Sequence, residues 1–135
     1  MLDPRSDYPL GTRRPDLVET PGGHRLDDIT LEAARAGSIT GSEIRATPET
    51  LRRQAEIARA SGRAPLAENL MRAAELARVP DDELLAIYTA LRPHRSTAGE
   101  LEAWAVRLEG WGAGATAAFV REAAAAYVER GLLAV

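Results

Sequence analysis

The stretch of residues 79–97 constrains the fold most, because it encodes one complete short helix with a start and a stop. Pro80 and the two aspartates after it suit a helix N-terminus, where carboxylates meet the positive end of the helix dipole. Pro93 ends the helix, since the residue before a proline is pushed out of the α region. Four apolar residues between these ends recur with helical spacing: Leu84, Ile87, Tyr88 and Leu91.

The corner that follows this helix is basic and bears on function. Thr97 and Glu100 have the spacing of a capping box, which predicts that the next helix starts there. A tyrosine and two arginines beside a rigid proline suit a protein contact, so Tyr88, Arg92 and Arg95 are candidate partner-binding residues. The alternative is a helix–turn–helix corner with solvated arginines, because basic residues are common at helix ends.

The composition restricts both the fold class and the range of functions. Hydrophobic residues make up 45% of the 135 residues but aromatic residues only 4%, so alanine supplies much of the apolar content. This favours closely packed helices over a sheet. The net charge of −3 argues against a nucleic-acid-binding protein, and the lack of cysteine excludes disulfides. No apolar run approaches the ~20 residues of a membrane span and no signal-peptide core is present, so we expect a cytoplasmic protein that binds no membrane.

Start and stop signals elsewhere predict an all-α fold, an open bundle of about five to six helices. Residues 47–60 begin with a threonine cap, a proline and an acid, which is a strong helix start. The next helix is predicted at residues 65–78, and the short loop makes the two antiparallel neighbours whose facing alanines let the axes approach closely. Further helices are predicted at residues 29–36, from residue 98, and at residues 115–130.

The first 26 residues show no helical or strand period and are interrupted by four prolines. Spaced anchors such as Tyr8 and Leu10 suit an extended N-terminal arm laid over a partner, and a disordered tail is the alternative. We therefore divide the chain into an arm, residues 1–26, and a helical domain, residues 27–135. Tyr8 and Leu10 join the candidate partner-binding residues.

The last predicted helix is apolar on more than one face. It carries Phe119 and Tyr127 among many alanines. A helix that is apolar on several sides must be covered on several sides, and five or six thin helices are too few to do so alone. Phe119 and Tyr127 are therefore also candidate partner-binding residues, and we expect the isolated chain to be a poor monomer.

The sequence offers no convincing catalytic, metal-binding or cofactor-binding residues. His24 and His94 are isolated, and neither has a metal-type spacing to a second histidine. The pairs of aspartates at 27–28 and 81–82 fit helix starts better than acid/base dyads. The glycine-rich residues 110–114 follow no strand, so a break between helices is favoured over a phosphate-binding loop.

Ten short blocks, in order from residue 7 to residue 130, give the chain a family resemblance. The chain resembles the small (gamma) subunit of adenosylcobalamin-dependent diol and glycerol dehydratases. The blocks are DYPL at 7–10, TLE at 30–32, TPETLR at 47–52, RAAEL at 72–76, VPDD at 79–82, IY at 87–88, ALRP at 90–93, RST at 95–97, AFVREA at 118–123 and YVER at 127–130.

The resemblance implies a holoenzyme that is a dimer of heterotrimers with large (alpha) and medium (beta) subunits. This enzyme would convert 1,2-diols or glycerol to an aldehyde and water by a radical route. The large subunit would hold substrate and a metal ion, and adenosylcobalamin would lie between the large and medium subunits. The small subunit would be helical, would bind the large subunit, and would contribute no catalytic, metal-binding or cofactor-binding residue.

The chain departs from the resemblance at both ends. Some members carry a longer N-terminal extension associated with packaging into protein microcompartments, and its absence here makes such packaging doubtful. The C-terminal residues 132–135 are apolar where relatives tend to be basic, which predicts a changed contact at that end. A free-standing helical adaptor that binds another protein is the competing hypothesis. The choice between propane-1,2-diol and glycerol is not encoded in this chain.

Overall fold

The computed structural model of the chain describes residues 1–135 and contains eight α-helices and no β-strand. The all-α prediction is confirmed. Two 3-10 turns, Pro15–Leu17 and Leu26–Asp28, and one isolated bridge between Glu19 and Arg25 complete the secondary structure. The helices are α1 (Pro4–Asp7), α2 (Leu10–Arg13), α3 (Leu31–Arg35), α4 (Pro48–Ala60), α5 (Ala64–Leu76), α6 (Asp81–Ala90), α7 (Ala98–Gly110) and α8 (Gly114–Arg130).

The chain forms two compact units, Met1–Ala77 and Arg78–Val135. Each unit contains one pair of long packed helices, α4 with α5 in the first and α7 with α8 in the second. The sequence-based division at residue 26 has a different basis, an N-terminal arm that binds a partner. That division stays a prediction.

The first hairpin, α4–α5, begins as its sequence predicts. Thr47 caps α4 by accepting a hydrogen bond from the backbone N–H of Thr50 at 3.2 Å. The centre of the hairpin is made of small side chains: Ala55, Ala58 and Ala67 are at most 5% exposed, and two larger residues, Leu70 and Met71, pack against them. Alanines at such positions allow close approach of the helix axes.

The second hairpin, α7–α8, begins with the predicted capping box. The N–H of Glu100 donates to Thr97 Oγ1 at 3.2 Å, and the N–H of Thr97 donates to Glu100 Oε2 at 2.8 Å. The hydrogen bonds that the backbone N–H and the hydroxyl of Thr97 donate to the carboxylate lower the pKa of Glu100. The centre of this hairpin holds larger side chains than the first: Leu101, Leu108 and Val120 are fully buried.

The two hairpins share one connector geometry, related by a shift of 50 residues. Gly62 and Gly112 both have φ of 74°, a left-handed conformation that favours glycine. The next N–H in each connector reaches back to close the turn, from residue 63 to Ala58 O at 2.8 Å and from residue 113 to Leu108 O at 2.9 Å. Residues 47–77 and 97–127 therefore share the same succession of threonine cap, helix, glycine turn and helix.

Helix α6 differs from its predicted stripe at one position. Ile87 is buried at 5% exposure, and Leu84 and Leu91 are half-buried, as the helical spacing predicts. Tyr88 is 62% exposed and lies on the outer side with Leu85. The reason is that residues 84, 87 and 91 already form a complete stripe, and position 88 lies one step further around the helix.

The N-terminal segment is folded against its own unit, and an extended arm is not confirmed. The N–H of Leu2 donates to Glu56 Oε1 at 2.7 Å, and the guanidinium of Arg53 donates to the carbonyl of Leu17. The N-terminal segment therefore contacts α4 of its own unit. Pro4 opens α1 and Pro15 opens the first 3-10 turn, at positions where an N–H is not needed.

No helix of the chain has the length and apolar character that a membrane crossing requires.

Candidate partner interface

An exposed strip runs along the outer side of α6 into the corner that follows it. Leu85 is 69% and Tyr88 62% exposed, three positions apart on one side of the helix, and Arg92 continues the strip one turn later. The side chains of Arg92 and Arg95 are exposed and make no hydrogen bond or ion pair within the chain. We call Leu85, Tyr88, Arg92 and Arg95 the α6 strip. It combines exposed apolar side chains with two arginines that have no intrachain partner.

The backbone of this corner is held by the C-terminal tail. His94 adopts a left-handed φ of 61°, and its N–H donates to the carbonyl of Leu132 at 2.7 Å. The N–H of Ala134 donates to the carbonyl of Ser96 at 2.9 Å, and the Ser96 hydroxyl donates to Ala90 O at 2.9 Å. The apolar C-terminus thus contacts its own chain, and the arginines of the α6 strip extend from a fixed turn.

The predicted contact residues on α8 occupy different environments. Phe119 is 45% exposed. Tyr127 is half-buried, and its hydroxyl donates to the carbonyl of Leu91 at 2.5 Å. The polar neighbour that a tyrosine hydroxyl needs is therefore supplied inside the unit for Tyr127.

The two predicted N-terminal residues line a groove in the first unit. Tyr8 is 60% exposed at its edge, whereas Leu10 is 5% exposed in its wall. The groove has a volume of about 590 Å³ and an apolar lining that includes Pro4, Ile57, Leu66 and Leu70. Arg63 also lines it and makes no side-chain hydrogen bond or ion pair within the chain.

Sequence reasoning missed an aromatic and arginine cluster on the second hairpin. The guanidinium carbon of Arg107 lies 4.5 Å from the ring centroid of Trp104 and 5.6 Å from that of Trp111. Glu83 accepts a hydrogen bond from the same guanidinium. The signal was present in the sequence, because residues 104, 107 and 111 share one side of a helix.

A second arginine joins the helices of this hairpin. Arg121 on α8 donates to Glu102 at 2.8 Å and to Glu109 at 2.6 Å, both on α7. These hydrogen bonds lower the pKa of both carboxyl groups and raise the pKa of Arg121. All three groups are exposed, so the network links α7 to α8 at the surface of the hairpin.

The polar residues weighed for chemistry lie in structural surroundings. His24 Nε2 is 3.9 Å from Glu43 Oε2, and the Nδ1 of His94 is 3.4 Å from the carbonyl oxygen of Leu133. Asp28 accepts a 2.9 Å hydrogen bond from the N–H of Arg25, which is the predicted role for an acid at a helix start. No group of three or more histidine, cysteine, aspartate or glutamate side chains is arranged to hold a metal ion.

The structure therefore places the seven predicted partner-binding residues in several environments. Tyr8, Tyr88, Arg92, Arg95 and Phe119 are exposed, Tyr127 is half-buried, and Leu10 is buried. Tyr88, Arg92 and Arg95 share the α6 strip, and Tyr8 and Leu10 share the groove. Their contact with a partner stays a prediction.

Comparison with known proteins identifies the family. The family model described as the dehydratase small subunit matches residues 4–134. The propanediol dehydratase small subunit of Citrobacter freundii is 56% identical over 126 residues, which are 93% of this chain and 73% of that protein. The propanediol dehydratase small subunit of Salmonella typhimurium strain LT2 is 55% identical over the same shares of the two chains. The chain belongs to the dehydratase small-subunit family and is a small subunit of a diol dehydratase.

Proposed function

We propose that this chain is the non-catalytic small subunit of an adenosylcobalamin-dependent dehydratase that acts on propane-1,2-diol or glycerol. The observation that carries the proposal is the identity of 56% over 93% of the chain with a propanediol dehydratase small subunit. In this proposal the chain acts in the cytoplasm and is needed for assembly with the large (alpha) subunit. The complex is a dimer of heterotrimers that also contains the medium (beta) subunit.

The reaction assigned to the holoenzyme is loss of water from a 1,2-diol to give an aldehyde. The other subunits bind adenosylcobalamin and the substrate, and this chain binds none of them by itself. The exposed surfaces support a binding role, since the α6 strip and the groove each combine apolar area with unpaired arginines. Such a combination is typical of protein interfaces.

The test is co-expression with large and medium dehydratase subunits, followed by purification through a tag on the large subunit. We expect this chain to co-purify in equal amount to the large subunit. With adenosylcobalamin added, we expect aldehyde formation from propane-1,2-diol or glycerol. Preparations without this chain should assemble poorly and lose activity in proportion.

Two results would contradict the proposal. A large and medium subunit complex that assembles and turns over normally without this chain would exclude an assembly role. A chain that binds neither subunit would favour a free-standing helical adaptor instead.

A further inference from the structure

The groove of the first unit lies on a side of α4 whose counterpart in α7 is filled by large side chains. The groove side of α4 carries Gln54, Ile57 and Ser61. The shift of 50 residues that relates the two hairpins gives the corresponding residues of α7: Trp104, Arg107 and Trp111. The second hairpin thus carries two indoles and a guanidinium at the positions whose counterparts in the first hairpin line an open volume of about 590 Å³.

The same contrast appears on the second helix of each hairpin. Leu66 on α5 is 44% exposed, whereas its counterpart Thr116 on α8 is 6% exposed. Leu70 is half-buried, whereas its counterpart Val120 is 1% exposed. The more exposed position of this pair carries a leucine and the buried position carries a threonine. This is the reverse of what the hydration of the two side chains favours. This side of the first hairpin therefore exposes apolar surface that the second hairpin buries.

We propose that the groove receives an aromatic side chain from another dehydratase subunit, on a segment that also carries a carboxylate. The inference rests on the proposed function and names the place and chemistry of one contact. An aromatic ring is indicated because indoles stand at the equivalent positions of the second hairpin. The ring seats over Ile57 and Leu66, and Tyr8 at the groove edge provides a second aromatic surface for an edge-to-face contact.

The carboxylate of the partner segment is proposed because its charge is complementary to that of an arginine in the groove. Arg63 lines the groove and has no intrachain partner for its guanidinium. The counterpart of Arg63 in the second hairpin is Ala113, so this cation belongs to the open copy alone. A guanidinium at the edge of an apolar groove binds a carboxylate with paired hydrogen bonds.

The decisive variant fills the groove from inside the chain. Gln54→Trp with Ser61→Trp copies the indole positions of the second hairpin. We expect the double variant to keep its helicity, and its affinity for the purified complex of large and medium subunits to fall about tenfold or more. Glu68→Trp, at an exposed position of α5 outside the groove, is the matched control and should bind like the parent.

Two further variants keep the test decisive if the double variant fails to fold. Leu66→Asp puts an acid in the first turn of α5, which suits a helix N-terminus. It should weaken binding, because it removes the apolar contact of Leu66 and its charge repels the carboxylate of the partner segment. Arg63→Glu should weaken binding about tenfold or more at low salt, whereas Arg59→Glu on the exposed end of α4 should have little effect.

The outcomes separate this inference from the proposed function. If the parent chain binds and folded Leu66→Asp and Arg63→Glu bind equally well, the groove inference is wrong and the proposed function stands. If the parent chain binds no dehydratase subunit, both are wrong. Weakened binding by the groove variants with unchanged binding by Glu68→Trp and Arg59→Glu supports the inference.

Discussion

The hydroxyl of Tyr127 donates a 2.5 Å hydrogen bond to the backbone carbonyl of Leu91, and this bond joins the last turns of α8 to the corner after α6. The contact is half-buried. Together with the hydrogen bonds of the C-terminal tail to His94 and Ser96, it fixes the turn that carries the arginines of the α6 strip.

Replacing Tyr127 with phenylalanine should lower the free energy of unfolding. The ring remains, but the carbonyl of Leu91 loses its side-chain partner, and the expected loss is about 1 kcal/mol. Urea unfolding followed by circular dichroism measures it. Tyr88→Phe is the matched control, since that residue is 62% exposed and its hydroxyl makes no bond in the chain. Equal stability of Tyr127→Phe and the parent would show that this hydrogen bond contributes nothing.

Arg92→Ala and Arg95→Ala should each weaken binding to the large subunit while the chain stays helical. If the interface covers the α6 strip, truncating one arginine costs about 2 kcal/mol or more. Calorimetric titration measures the affinity, and circular dichroism checks the helices. Arg35→Ala, an exposed arginine on α3, is the control. Two helical variants that bind like the parent would make this stretch an internal corner.

The long hairpins could be predicted from the sequence because their signals are local. Thr47 and Thr97 cap the helices that follow them, and each helix end is set by hydrogen bonds within a few residues. The N-terminal segment could not be predicted in the same way. Its conformation depends on distant contacts, such as that from Arg53 to Leu17, and a proline can start a helix as well as end one.

The candidate sites depend still more on contacts between distant residues. The groove joins Tyr8 to Leu66, and the corner joins His94 to Leu132, so no periodicity in the sequence shows either of them. Tyr88 departs from the predicted apolar stripe of α6 for another reason. Its spacing fits an apolar stripe, and only packing determines which of two neighbouring positions faces inward.

The network of Arg121 should make the second hairpin sensitive to acid. The pKa of Glu102 and of Glu109 is lowered from the ordinary 4.5 by hydrogen bonds from Arg121. When folding lowers the pKa of a carboxyl group, its contribution to the stability of the folded state is complete above the pKa of the unfolded state. That contribution is lost as the pH falls through the pKa of the folded state. Arg121→Gln should therefore lower the melting temperature slightly at pH 7, and the decrease should be smaller at pH 3, below the ordinary 4.5 of the two carboxyl groups.

The control for this pH dependence is Arg130→Gln, an exposed arginine without an intrachain partner. It should shift the melting temperature equally at both pH values. A decrease for Arg121→Gln that persists undiminished in acid would rule out the ion pairs as its cause.

His94 holds a backbone conformation that few residues adopt without strain. Its φ of 61° lies in the left-handed region, which excludes β-branched side chains most strongly. His94→Val should lower the free energy of unfolding by about 1–2 kcal/mol, whereas His94→Gly should be neutral or stabilising. Thermal unfolding of the two variants in parallel checks the ordering. Equal losses for valine and glycine would instead assign the effect to the imidazole.

Hydrogen exchange of the isolated chain should show two levels of protection. The α7–α8 hairpin is centred on Leu101, Leu108 and Val120, whereas the α4–α5 hairpin is centred on alanines. We expect α4 and α5 to exchange faster, and thermal unfolding of the isolated chain to be broad. Mass spectrometry of the exchanged chain resolves the helices. Uniform protection together with one sharp transition would contradict the expectation of a poor monomer.

The alanine centre of the α4–α5 hairpin also has a calorimetric consequence. The heat-capacity change of unfolding grows with the apolar area that becomes exposed, and methyl groups such as those of Ala55 and Ala67 contribute little area each. The free energy of this hairpin therefore curves only gently with temperature. A segment from another subunit that fills the groove would bury additional apolar area. Binding of that segment should therefore show a negative heat-capacity change.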